Sequence, residues 1–306
     1  MIRSVFVPLD GSPFGEHALP LALAVARRAG ASLEVALVHV PPTPAYAPGA
    51  PPLDYSLDGQ IREQERAYLA GVVSRLAGAD VPVTSALLEG AVTEEIEERV
   101  KARDIDLVVL TTHGRGAFSR FWLGSVTDHL IRRLEVPALV VRPGEKPPDF
   151  RREPLPRHFL LPLDGSPLAE RALGPATDLA RLAGATCTLL RVVVPQTAHA
   201  YDLEWTGAIG MDEDLLRRDK DAAETYLERV ARQLGEQGLT AEVRVVTHSR
   251  PAEAILEAGR STGADLVALA THGYGGVKRV LLGSVADKVL RGATTPVLVY
   301  RPAGPA

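Results

Sequence analysis

The chain has 306 residues, 46% hydrophobic and 24% charged, which suits two ordinary domains of roughly 150 residues each. Its 34 basic and 38 acidic residues leave a formal net charge of −4, arguing against a dedicated nucleic-acid binder, and no apolar run approaches the roughly 18 residues of a membrane span. A single cysteine, Cys187, excludes an intrachain disulfide and a cysteine zinc cluster. Met1–Ser4 runs into a strand-like Val5-Phe6-Val7 without a secretory pattern, so a reducing cytoplasm is the expected location.

In chain order, strands are expected near 3–9, 33–40, 82–88, 106–111 and 137–142, with helices near 14–29, 57–77, 91–103 and 124–134 between them. Leu107-Val108-Val109-Leu110 and Ala138-Leu139-Val140-Val141 are continuous apolar runs, as parallel strands covered on both faces require. The helix from 57 carries Leu57, Ile61, Tyr68, Leu69, Val72 and Leu76 as an apolar stripe at helical period. The second half repeats this order, with Leu215, Ala222, Tyr226, Leu227, Val230 and Leu234 as its stripe.

The repeat extends to individual residues. Val7-Pro8-Leu9-Asp10-Gly11-Ser12-Pro13 returns as Leu161-Pro162-Leu163-Asp164-Gly165-Ser166-Pro167, an offset of 154; Tyr68-Leu69 returns at 158, and Asp106-Leu107-Val108 at 159. Insertions that fall between elements indicate two copies of one fold. Domain boundaries follow: residues 1–143, a proline-rich linker at 144–156, and residues 157–306. A second proline-rich stretch, Pro41 to Pro52, reads as a long surface loop. Strict strand–helix alternation implies a doubly wound α/β domain in each copy, with ligands expected beyond the carboxyl ends of the strands where strand order reverses.

Two features fall at such strand ends in both copies. In Asp-Gly-Ser-Pro, serine caps the next helix and proline takes its first position, while Asp10 and Asp164 are left as candidate acceptors for a base or ribose. In Thr111-Thr112-His113-Gly114-Arg115-Gly116 and Ala270-Thr271-His272-Gly273-Tyr274-Gly275, glycines follow a buried strand. Nine residues separate Gly114 from Gly124-Ser125 and Gly273 from Gly283-Ser284, where Ser125 with Asp128, and Ser284 with Asp287, suggest a capping box. Free N–H groups beside a helix N-terminus make an anion site. No Gly-x4-Gly-Lys-Ser/Thr loop occurs, and no histidine set has metal-ligand spacing.

Asp-Gly-Ser after the first strand, His-Gly-x9-Gly-Ser after the fourth, and Val136-Pro137-Ala138-Leu139-Val140 in the last resemble the universal stress protein family across both copies. The resemblance implies tandem Rossmann-like domains, each a five-stranded parallel sheet of order 3-2-1-4-5 with helices on both faces. It also implies ATP, with or without Mg, as the cofactor. By the same resemblance Pro8, Asp10 and Val40 border adenine and ribose, and Gly114, Arg115, Gly116, Gly124, Ser125 and Val126 wrap ribose and phosphates. The second set is Pro162, Asp164, Val194, Gly273, Tyr274, Gly275, Gly283, Ser284 and Val285. The family's motif begins with a glycine where this chain has Thr111 and Ala270, which adds a side chain near each ligand. The expected function is nucleotide-dependent signalling or stabilisation in stress, without efficient catalysis. The alternatives are a dimerisation scaffold with vestigial sites, or a slow ATPase. The resemblance further implies an intramolecular pseudo-dimer and leaves a further homodimer open; no nucleic-acid or membrane partner is expected.

Overall fold

The computed structural model describes residues 1–41, 55–112, 123–195, 213–271 and 282–301. They form two compact units, 1–155 and 156–306. Unit one runs β1 (Ser4–Leu9), a 3-10 turn (Gly15–Ala18), α1 (Leu19–Ala29), β2 (Ser32–His39), α2 (Tyr55–Leu76) and β3 (Val83–Glu89). It continues through α3 (Val92–Ala102), β4 (Leu107–Thr111), α4 (Ser125–Arg133) and β5 (Ala138–Val141). Unit two runs β6 (His158–Pro162), α5 (Pro167–Arg171), α6 (Leu173–Ala183), β7 (Thr186–Val193), α7 (Glu213–Glu236) and β8 (Ala241–Thr247). Then come α8 (Pro251–Thr262), β9 (Leu266–Ala270), α9 (Ser284–Gly292) and β10 (Val297–Tyr300).

Within unit one the strand order is β3-β2-β1-β4-β5, and within unit two β8-β7-β6-β9-β10, every pair parallel. This is the expected 3-2-1-4-5 order in each copy. The central strands are buried on both faces: Val5, Phe6 and Val7 in one unit, Phe159, Leu160 and Leu161 in the other. Phe6 aligns with Leu160, and Val5 with Phe159. Neighbouring strand residues point to opposite faces, so the aromatic ring fills opposite sides of the sheet in the two units. At the other end of the sheet, Asp106 accepts hydrogen bonds from the Arg3 and Ser4 amides, and Asp265 from those of Arg157 and His158. These carboxylates satisfy the entrance of each central strand, which explains their recurrence. α1 and α6 end at Gly30 and Gly184, both in the left-handed region at φ 63° and 65°.

Two expectations need correction. The helix expected over 14–29 is broken, because a 3-10 turn at Gly15–Ala18 precedes α1. The apolar stripe of α2 holds only in its carboxyl half. Leu69, Val72 and Leu76 are buried, but Leu57 is 55% and Ile61 39% exposed. In α7 Ala223 is buried beside Leu227, Val230 and Leu234, whereas Ala222 faces out. The amino half of α2 is tied to the sheet by polar side chains instead, as developed below.

Residues 144–155 contain no helix or strand and lie back on unit one. Glu153 pairs with Arg27, which also donates to the Ala79 carbonyl at 2.9 Å, and the Arg75 guanidinium lies 5.5 Å from the centre of the Phe150 ring.

Candidate functional site

Strand order reverses at β1 and β4, which pair through Phe6 and Val108. Four residues further on, Asp10 and Thr112 stand at the same level, past the carboxyl ends of the two strands. Leu160 pairs with Val267 in unit two, which likewise brings Asp164 level with Thr271. The crevice above each central strand is therefore bounded by an Asp-Gly-Ser turn on one side and by the end of the fourth strand on the other.

The first wall is built by the aspartate itself. Asp10 Oδ1 accepts from the Ser12 amide at 3.0 Å and from Ser12 Oγ at 2.7 Å, and Ser12 Oγ accepts from the Gly15 amide at 3.2 Å. Unit two repeats the chain: Asp164 accepts from Ser166 N and Oγ at 2.9 and 2.6 Å, and Ser166 Oγ caps α5 through the Ala169 amide at 3.0 Å. Only in unit two does the serine cap a helix directly, with Pro167 at its first turn. Gly11 and Gly165 have φ of 77° and 76°, a conformation that a side chain makes costly. Each aspartate thus orients the turn with one oxygen, a role that sequence reasoning left unexplained.

The second wall comes from the fourth strand and the helix after it. The Gly124 amide donates to the Thr112 carbonyl at 2.7 Å, and the Gly283 amide to Thr271 at 2.6 Å. A Cβ on Gly124 would stand 3.2 Å from the Thr112 oxygen, tighter than ordinary contact. Gly124 and Gly283 are the N-caps of α4 and α9, and among the described residues no side chain caps either helix. The expected capping box does not form. Asp128 instead pairs with Arg132 at 2.8 Å, and Asp287 with Arg291 at 2.9 Å, one turn along. Asp128→Ala is accordingly expected to lower stability by about 0.3–0.5 kcal/mol, as an i,i+4 pair does, and not by the ~1 kcal/mol of a lost cap. Thermal denaturation of that variant distinguishes the two values.

The helix N-termini consequently present amide donors, with Ser125 and Ser284 exposed and Val126 and Val285 half-buried. Thr111 and Ala270 are the last residues of β4 and β9 and are not among the residues of positive φ, so neither substitution strains the backbone. Thr111 also accepts from Thr127 Oγ1 at 2.7 Å through its carbonyl. Pro8 and Pro162 are half-buried, Val40 is 59% exposed and Val194 half-buried at the ends of β2 and β7. An exposed valine at that level is not a core residue. Gly114, Arg115, Gly116, Gly273, Tyr274 and Gly275 lie outside the described residues, as does most of the proline-rich stretch after Pro41.

Beneath the first turn sits a buried ion pair. Glu16 is 6% exposed and receives two hydrogen bonds from Arg75, at 2.8 and 2.7 Å. Tyr68 is close by; burial first, and then the Glu16 and Asp10 charges, raise its hydroxyl above the usual range. In unit two Glu170 takes Arg229 at 3.1 Å. Burial pushes the Cys187 thiol up to about 11, which keeps it protonated and unreactive at neutral pH. No cluster of metal-ligating side chains occurs among the described residues. No described helix is long and apolar enough to cross a membrane.

The family model named Universal stress protein family matches residues 1–142 and again 156–301. The chain belongs to the universal stress protein family. A universal stress protein of Mycobacterium tuberculosis is 35% identical over 205 residues, 65% of this chain and 63% of that protein, so the match spans less than two thirds of the relative. A second one from the same organism is 29% identical over 323 residues, covering 97% of this chain and 94% of the relative. A crystal structure of a universal stress protein from Archaeoglobus fulgidus aligns with a TM-score of 0.72 at 18% identity, covering 97% of this chain and 98% of that one. That structural likeness concerns the fold.

Proposed function

We propose that each unit of this universal stress protein binds an adenine nucleotide, ATP in the first instance, and that occupancy and not turnover is the functional signal. The observation that carries the reading is the uncapped helix N-terminus at Gly124 and Gly283, facing the Asp-Gly-Ser turn across the strand-order reversal. Amide donors left without a side-chain cap, at the positive end of a helix dipole, suit a phosphate.

In this reading Pro8, Asp10 and Val40 receive base and ribose, and Gly124, Ser125 and Val126 the phosphates, together with Gly114, Arg115 and Gly116. Pro162, Asp164, Val194, Gly283, Ser284 and Val285 do the same in unit two, with Gly273, Tyr274 and Gly275. Two features support this reading. Asp10 Oδ1 is engaged by Ser12, which fixes the carboxylate without a ligand, and Val40 offers an apolar surface at the right level. Bound ATP would supply a triphosphate charge, which the amides and dipoles at the starts of α4 and α9 would hold.

A ligand that binds only the folded state stabilises it by about 2.7 kcal/mol at a hundredfold excess over Kd. The test is a melting series of the purified protein with ATP, ADP, AMP and GTP, with phosphate release assayed in parallel. Adenine nucleotides are expected to raise the melting temperature with turnover at background. An unchanged melting temperature with every nucleotide overturns the reading.

A further inference from the structure

His39, the last residue of β2, is 1% exposed, and both of its ring nitrogens face carboxylates. Nδ1 lies 2.7 Å from Glu65 Oε2 and Nε2 lies 2.9 Å from Asp58 Oδ1, both on α2. A carboxylate only accepts, so each nitrogen must donate, and only the imidazolium donates from both. Arg62, also on α2, completes the cluster: it donates to Asp58 Oδ2 at 2.8 Å and, at 2.6 and 2.7 Å, to Glu89 at the end of β3. Two cations and three carboxylates therefore join β2, α2 and β3 where Leu57 and Ile61 turn away from the sheet. The equivalent positions of unit two, all among the described residues, form no such cluster. Val193, Leu216, Lys220, Ala223 and Thr247 occupy the equivalent positions.

We propose that the His39 proton is a switch that holds the amino-terminal half of α2 against the end of β2 and β3, so that rising pH releases this half of the helix in unit one alone. Loss of the proton to water leaves a bare lone pair on one nitrogen, aimed at a carboxylate in a buried site. One charge-assisted hydrogen bond becomes a repulsion. The acid side behaves differently. Arg62's hydrogen bonds hold Asp58 and Glu89 below the usual carboxylate range, so their ties weaken only as pH falls through those depressed values. The latch is thus closed while the imidazole carries both of its protons and opens when one is lost. His39 precedes Val40, so opening would also disturb the first proposed nucleotide site. The switch itself does not depend on nucleotide binding.

Two measurements on the full chain, without nucleotide, test this. Nitrogen NMR of labelled imidazole should find both ring nitrogens of His39 protonated at about pH 6. Hydrogen exchange, corrected for intrinsic rates, should show protection of residues 57–66 falling by about ten- to hundredfold as that proton is lost, with α7 unchanged. In Glu65→Gln the amide can donate to a bare Nδ1, so the helix should stay closed and its pH dependence flatten. A neutral His39 at about pH 6, protection independent of pH in the wild type, or a wild-type pH slope in Glu65→Gln would each overturn the proposal.

Discussion

Arg75→Met is expected to destabilise unit one by about 3 kcal/mol. Glu16 is almost wholly buried on the 3-10 turn after the Asp-Gly-Ser segment, and Arg75 meets both of its oxygens. Removing one partner of such a pair leaves a charge without compensation, which costs about 3–5 kcal/mol. The low end applies because the Arg75 side chain is 46% exposed and water can reach the vacated space. Unit two reaches the same result by a different route. Its glutamate, Glu170, is met by Arg229, at the position of Gly71 in unit one, while Gln233 stands at the position of Arg75. A Cβ on Gly71 would meet nothing within 4 Å. Gly71→Arg should therefore restore most of the stability lost in Arg75→Met, with a coupling of at least ~1 kcal/mol in the double-mutant cycle. The readout is native-state hydrogen exchange of β1 and β2 against β6 and β7, because a two-unit chain need not unfold in one step. Additive effects of the two substitutions would contradict this account of Glu16.

Gly124→Val and Gly283→Val should each weaken one proposed nucleotide site by about one to two orders of magnitude, ~1.4–2.8 kcal/mol, and leave the other intact. Both glycines end the loop after the fourth strand with an amide bonded to a strand-end carbonyl, and both cap a helix whose first amides are offered to the crevice. In Gly124→Val the new Cβ would press on the Thr112 oxygen, and relief requires the helix N-terminus to shift away from the crevice. Valine is also a poor N-cap, so a stability loss of about 1 kcal/mol accompanies the change. Titration at ATP that fills the wild-type sites but lies well below the weakened Kd should count about one equivalent for either single variant and close to none for the pair. If either single variant keeps both equivalents, its glycine does not belong to a site.

Much of this was readable before any coordinates. The offsets of 154 to 159 established two copies, and the unbroken apolar strands with alternating helices led to a doubly wound parallel sheet in each, whose 3-2-1-4-5 order was implied by the resemblance to the universal stress protein family. That order puts the strand-order reversal at β1 and β4, and their register then sets Asp10 level with Thr112. What escaped the sequence shares one property: it joins residues far apart in the chain. His39 and Glu65 are 26 positions apart, and Arg75 and Glu16 are 59 apart. Neither pair leaves a periodic trace, and Leu57 and Ile61 imitate a core stripe although polar ties hold that half of α2. The capping box failed for a local reason. With glycine as the N-cap there is no serine side chain at that position, and Asp128 has an arginine one turn away that serves it better. That Asp10 orients its own turn was not read from the sequence, because the Ser12 bonds to one of its oxygens look, in sequence, like a simple cap.

The central claim is that two nucleotide sites stand at the strand-order reversals of the two units. Calorimetric titration of the full-length wild-type chain with ATP tests it most directly. The account predicts saturable binding of two equivalents, reduced to one by Gly283→Val. The absence of binding heat, together with an ATP-independent melting temperature, would contradict it.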